Sequence, residues 1–182
     1  MGEDLEAINR EVLGCRSCPL WRTRNRAVPG EGPVSARCML IGESPGADED
    51  RAGRPFVGRS GRYLNGVLKE SGLGRESLFI TGSVKCHPPG NRDPRRGELE
   101  SCRPYLERQV RAISPEVIVL LGRIATRGFL GDVGMAEARG RIWKRGVTKL
   151  LPTYHPAAAM RFPSRREHFR EDIRKLADML GG

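Results

Sequence analysis

Residues 38–61 read CMLIGESPGADEDRAGRPFVGRSG, and the rest of the fold can be built outward from this stretch. Cys38, Met39, Leu40 and Ile41 form a short apolar run that ends in Gly42-Glu43-Ser44-Pro45-Gly46. The pattern predicts a buried strand running out into a tight, glycine-bracketed loop. Three acids follow in that loop, Asp48, Glu49 and Asp50, and then a lone aromatic, Phe56. Glycine lets a backbone come close to a flat ligand, and Phe56 offers such a ligand a stacking face. In open α/β sheets, ligand sites sit beyond the carboxyl ends of strands, which is where this loop falls. By itself the stretch reads equally well as a plain turn with a core phenylalanine.

Further strands and helices alternate with it. Leu78–Thr81 predicts a second strand, ending at Gly82-Ser83 and a KCHPPGNRDP loop. Glu116–Leu121, ending at Gly122, is the strongest strand and reads as buried on both faces. Thr148–Tyr154 is the last, and it delivers His155-Pro156. Helical spacing marks residues 4–14, Ser60–Ser71, a stretch from Pro94–Glu98 to Ile113, Ile124–Leu130 and residues 165–180. Residues 131–146 read as irregular and basic, with an edge strand at Ile142-Trp143. The alternation predicts an α/β fold with a parallel sheet covered on both faces. With no repeat and no linker, residues 1–182 are expected to form one domain.

Composition narrows the function. Lys and Arg number 32 against 22 Asp and Glu, a formal charge of +10, and most of the cations are arginine. Arginine favours bidentate phosphate contact, so a polyanionic partner, nucleic acid, is the expectation. No apolar run approaches the roughly 18 residues of a membrane span. The acidic, amphipathic start MGEDLEAINREVLG lacks a signal-peptide pattern, so a cytoplasmic, monomeric protein without membrane partners is expected.

Cys38 lies inside the first strand and is assigned to packing. The other four cysteines form a set in polar, turn-rich sequence: Cys15 and Cys18 in C-R-S-C-P-L, Cys86 before His87-Pro88-Pro89, and Cys102 before Arg103-Pro104. Four thiolates are the ligand count of an iron–sulfur cluster or a structural zinc.

These motifs, in order from Cys15 to Arg161, resemble the family 4 uracil-DNA glycosylases, whose members carry an iron–sulfur cluster. The matching elements are C-x2-C-P-L, G-E-x-P-G, G-R-P-F-V-G-R-S-G, V-K-C-x-P-P-x-N-R, a cysteine about sixteen residues on, a strand ending L-G, and a final H-P. They span about four-fifths of the chain. The resemblance implies a three-layer α/β/α fold with a short central, mostly parallel sheet, and a structural [4Fe–4S] cluster on Cys15, Cys18, Cys86 and Cys102, with zinc as the alternative. It also implies hydrolysis of the N-glycosidic bond of a deaminated base flipped out of DNA.

The resemblance distributes the roles. Phe56 would stack on the base, and Gly42 would lie beside it. His155 would hydrogen-bond the carbonyl oxygen where charge gathers, helped by backbone N–H groups of the GESPG loop. Glu43 or Glu49 would orient water and offset the sugar cation, and Asn91 would hold water or its own loop. Glu43 has a second reading, as a cap for the loop's own N–H groups. Met160 and Arg161 would fill the vacated stack and grip backbone, with Arg59 a further DNA contact. His87 is expected to face the loop or DNA, and His168 the surface. The basic residues of 139–145 and 161–174 are DNA-face candidates.

Two positions depart from the family. Gly82 stands where the family has the asparagine that reads uracil against cytosine, so either Ser83 or water substitutes, or the pocket is enlarged toward hypoxanthine or xanthine. Ser44 stands where many members have Ala or Gly, and its hydroxyl could position water but is a weak base. The segment after Asn91 carries no histidine-bearing insertion of the kind found in relatives that bind uracil covalently. A damage-binding protein of the same fold, without glycosylase activity, is the alternative.

Overall fold

The structure is a computed structural model that describes residues 4–181. Helix α1 (Leu5–Gly14) comes first, capped by the Asp4 side chain on the Glu6 N–H at 3.0 Å. Strand β1 (Cys38–Gly42), helices α2 (Ala47–Ala52) and α3 (Arg59–Glu70), and strand β2 (Phe79–Gly82) follow. Next come α4 (Arg96–Ile113), β3 (Val117–Leu121), α5 (Arg123–Leu130) and α6 (Met135–Ala138). The chain ends with β4 (Trp143–Arg145), β5 (Thr148–Thr153), α7 (Pro156–Arg161) and α8 (Pro163–Leu180).

The strands make one sheet in the order β2-β1-β3-β5-β4, parallel except for the antiparallel edge strand β4. The register sets Met39 opposite Phe79 and Cys38 opposite Val117. Because side chains alternate across a strand, the sheet feeds two cores. Cys38, Leu40, Ile80, Val119 and Leu151 face Leu64 and Leu68 of α3 and Phe169 and Ile173 of α8. Met39, Ile41, Phe79, Ile118 and Leu150 face Leu5 of α1, Leu106 and Ile113 of α4, and Ala125 of α5. That is the three-layer α/β/α architecture. The sequence expectation holds, and Cys38 is core as assigned.

Two stretches differ from it. Asp48, Glu49 and Asp50 do not lie in a loop but fill the first turn of α2, where carboxylates meet the exposed N–H groups and positive end of the helix. Residues 131–146 are not irregular throughout, since they contain α6 and the edge strand β4 at Trp143–Arg145. A four-residue helix and a three-residue strand are too short to show a period.

Candidate active site

Parallel strands deliver their carboxyl ends to one edge, so the loops after β1, β2 and β5 meet there. β1 ends at Gly42, and Phe56 packs directly on it. A methyl group added at Gly42 would lie 2.6 Å from Phe56 Cζ, so only glycine accommodates the ring. Phe56 itself takes a left-handed backbone, φ 50°, which a phenylalanine adopts only when its surroundings impose it. Arg75 supplies that constraint, donating to the carbonyls of Pro55 at 2.5 Å and Phe56 at 3.2 Å. Gly42 and Phe56 thus form a rigid wall at the edge of the sheet.

His155 closes the opposite side, its ring 5.8 Å from that of Phe56 and tilted by 32°. It caps α7, and its Nδ1 accepts the Ala157 N–H at 3.2 Å. An accepting Nδ1 fixes the tautomer, so Nε2 carries the proton and can donate. Burial pushes the imidazole pKa down to about 4, against the pull of Glu49, and the ring is neutral at pH 7.

The two glutamates separate into different roles. Glu49 accepts the N–H of Gly46 at 3.1 Å, Val57 at 2.9 Å and Gly58 at 2.8 Å. It therefore ties the GESPG loop to the segment after Phe56. The capping reading offered for Glu43 belongs to Glu49 instead, and the Gly46 N–H is no longer available to a ligand. Glu43 is half-buried next to Asp93, with Arg123 behind. Burial first, and then Asp93, raise its pKa to about 7. Ser44 is half-buried, and its hydroxyl bonds no other side chain among the described residues.

Asn91 lies on a left-handed turn, φ 55°, with its Oδ1 2.8 Å from His87 Nε2. His87 is therefore part of the site's support. Gly82 ends β2, and a Cβ placed there would sit 2.7 Å from the Val84 carbonyl oxygen. The backbone has closed over the position that an asparagine would occupy. Ser83 does not substitute for it: its hydroxyl and N–H both donate to Gly42 O, at 2.8 and 2.9 Å. The Gly82 carbonyl is held by buried Lys85, whose ammonium also donates to Thr81 Oγ1 at 2.5 Å and Gln109 Oε1 at 2.7 Å. Sequence reasoning missed Lys85, Gln109, Asp93 and Arg123. Only the polar side chains inside otherwise apolar segments hinted at the first two.

At the rim, Arg59 and Arg161 are exposed and Met160 half-exposed. Of the basic run 139–145, Arg139 turns inward to Asp172 at 3.3 Å and is not a free cation. His168 is not a plain surface residue, since it stacks on Tyr154 with ring centroids 6.1 Å apart. A cavity of about 900 Å³ opens elsewhere, between α4 and α5, and reaches Ser83, Asp93 and Arg123 from behind.

On the far side of Lys85, the four cysteines of the predicted set line one pocket with Val12, Ser17 and Tyr105. Arg24 Nη1 donates to Cys86 Sγ at 3.0 Å while its Nη2 holds the Leu13 carbonyl at 3.0 Å. The Ser17 N–H and the Tyr105 hydroxyl serve Cys15. Four converging soft donors, backed by two cations, fit an anionic thiolate-bound group.

The sequence profile of the uracil DNA glycosylase superfamily matches residues 29–177. A type-4 uracil-DNA glycosylase of Sulfurisphaera tokodaii is 44% identical over 97% of this chain and 85% of its own. That of Thermotoga maritima is 41% identical over 98% and 95%. A type-5 uracil-DNA glycosylase of Mycobacterium leprae is 30% identical over 93% and 94%. The chain belongs to the uracil-DNA glycosylase superfamily, in its type-4 group. The superfamily profile begins after Cys15 and Cys18, whereas the type-4 similarity runs through them. The strand-end edge with Phe56 and His155 is thus the part shared across the superfamily, and the thiol pocket lies partly beyond it.

Proposed function

We propose that this protein hydrolyses the N-glycosidic bond of a deaminated base, uracil by default, extruded from DNA. The observation that carries the reading is the meeting of Phe56, packed on Gly42, with His155 at the carboxyl edge of the sheet, with Glu43 next after Gly42. A base flipped out of the stack lies on Phe56. As the C1′–N bond breaks, its electron pair leaves with the base and negative charge gathers on the carbonyl oxygen. Neutral His155 donates its Nε2–H to that oxygen as a hydrogen-bond donor, and its low pKa keeps it from protonating the base outright. Ionised Glu43 offsets the positive charge developing on the sugar and orients the water. The water oxygen bonds C1′, and its proton passes to Glu43 or to solvent. Glu49 is a positioning residue, and Asn91, braced by His87, supports the rim next to Gly46.

Cys15, Cys18, Cys86 and Cys102 would hold a [4Fe–4S] cluster, and through these ligands the N-terminal segment would be tied to α4 and to the loop that follows β2, a structural contribution. The four thiols line one pocket, a donor set that suits the cluster, with structural zinc as the alternative. Visible absorption together with iron and zinc analysis separates the two.

Gly82 supports a relaxed base preference, since no side-chain amide reads the base edge there. The test is base release from oligonucleotides carrying uracil, hypoxanthine, xanthine or a normal base, single-stranded and paired, with alkali revealing abasic sites. Release of uracil supports the reading, and release of a deaminated purine extends it. Tight lesion binding without release would replace it with the damage-binding alternative that Gly82 favours.

A further inference from the structure

Phe162 is one of the few large apolar side chains left exposed, at 41%. It sits at the junction of α7 and α8, on the segment that begins with His155. The Arg165 guanidinium lies 4.4 Å from its ring centroid and 5.3 Å from that of Tyr154, and Arg161 lies 5.5 Å from the Phe162 ring. Tyr154 stacks in turn on His168, with an interplanar angle of 26°. The side chains form a column of ring, guanidinium, ring and imidazole, with Phe162 at its outer end. Arg166 Nη2 holds the Met160 carbonyl at 3.1 Å and ties the end of α7 to the start of α8.

A single exposed apolar side chain is ordinary. One held by two guanidinium groups is not, because no ion pair engages Arg161 or Arg165 among the described residues. An aromatic face beside unpaired cations has the two features that a nucleic-acid strand requires: a surface for a base and charge for its phosphates. The length of α7 sets the reach. From its N-cap His155 to its C-cap Phe162 the chain takes seven steps, which at about 1.5 Å each put Phe162 about 10.5 Å along the helix from His155. That is about three base steps at 3.4 Å per step. Phe162 therefore lies too far from His155 to touch the base that His155 would hold and near enough to meet the stack it left.

We infer that Phe162, clamped by Arg165, is a stacking platform for a nucleobase within about three steps of the extruded nucleotide, with Arg161 and Arg165 on the adjoining phosphates. This rests on the glycosylase reading and adds to it a DNA contact distinct from Met160. The platform gives sequence-tolerant grip on one strand, since every base has a π-face.

The test uses the full chain and duplexes carrying a non-hydrolysable 2′-fluorinated deoxyuridine. The fluorescent base 2-aminopurine is placed in turn at each of the neighbouring positions out to about three steps on either side of the lesion, and opposite it. The unsubstituted protein should quench 2-aminopurine at one neighbouring position. Phe162→Ala should abolish that quenching and weaken DNA binding about tenfold. Phe162→Tyr should keep both, and Phe162→Leu, which retains bulk without a π-face, should not restore the quenching. A Phe162→Ala variant that binds and quenches as the unsubstituted protein does would overturn the inference. Release of ordinary uracil is followed with the same preparations. A protein that releases none of uracil, hypoxanthine and xanthine sinks the glycosylase reading, whereas one that releases a deaminated base with Phe162→Ala unchanged in binding and quenching sinks only the platform.

Discussion

The Asp93 carboxylate lies beside Glu43, and Arg123 anchors its Oδ2 from behind at 2.6 Å. The like charge of Asp93 adds to burial in favouring the protonated form of Glu43. With the Glu43 pKa raised to about 7, activity is expected to climb as pH rises through about 7, when Glu43 becomes ionised. Asp93→Asn removes the like charge and should move that limb to lower pH. Arg123→Gln removes the neutralising cation and should move it higher. A kcat profile whose acidic limb is the same in all three proteins would show that Glu43 is not the titrating group.

The same displacement has a consequence for stability. A group whose pKa is higher folded than unfolded stabilises the fold fully below its unfolded pKa. That contribution is lost as pH rises through the folded one. For Glu43 the window runs from the ordinary carboxylate range up to about 7. Glu43→Gln should therefore be more stable than the unsubstituted protein at pH 8 by about 1 kcal/mol, a figure discounted for solvent screening. No such advantage is expected at pH 4, where both side chains are neutral. Thermal melts at the two pH values check this, and kcat should fall about 100-fold in the same variant.

Glu49 should behave differently, because its carboxylate is engaged by backbone. Glu49→Ala leaves the N–H groups of Gly46, Val57 and Gly58 without their acceptor. A loss of about 2 kcal/mol in stability is expected, with a rise in KM as the Phe56 wall loosens. The pH profile of the remaining activity should be unchanged. Glu49→Gln keeps one acceptor oxygen and should lose less.

How much of this was legible in the sequence depends on whether the signal is periodic or only spatial. The strands at Cys38–Gly42 and Val117–Leu121 are continuous apolar runs, and their alternation between two cores follows from the period of a strand. The glycine at 42 and the histidine after β5 were readable because strand ends in a parallel sheet share an edge. The division of labour between Glu43 and Glu49 was not readable. It depends on whether Val57 and Gly58 point their N–H groups at one carboxylate, which no spacing encodes. Asp93 and Arg123 were missed for the same reason: they lie thirty residues apart and meet only through the fold. Phe162 escaped notice because a lone aromatic near the start of a charged helix looks like ordinary surface.

His155 is expected to titrate outside the working range. Burial holds its pKa near 4, so the rate should show no limb attributable to an imidazole between pH 5 and 8. His155→Ala removes the Nε2–H donor and should cost between about 100- and 1,000-fold in kcat. The fall should be the same at pH 6 and pH 8 once the Glu43 limb is allowed for.

Gly82→Asn tests whether the missing base-reading amide can simply be restored. A side chain at position 82 brings its Cβ to 2.7 Å from the Val84 carbonyl oxygen, and that oxygen belongs to backbone two residues before Cys86. The strand end is further fixed by Lys85 on the Gly82 carbonyl and by Ser83 on Gly42. The substitution must therefore displace a segment held from both sides. A lower melting temperature and a partial loss of iron are expected, with no gain in uracil release relative to hypoxanthine. A variant that kept its melting temperature and iron and became more selective for uracil would mean that the backbone relaxes freely. Residue 82 would then be open to a side chain, and the choice of base would rest on that side chain alone.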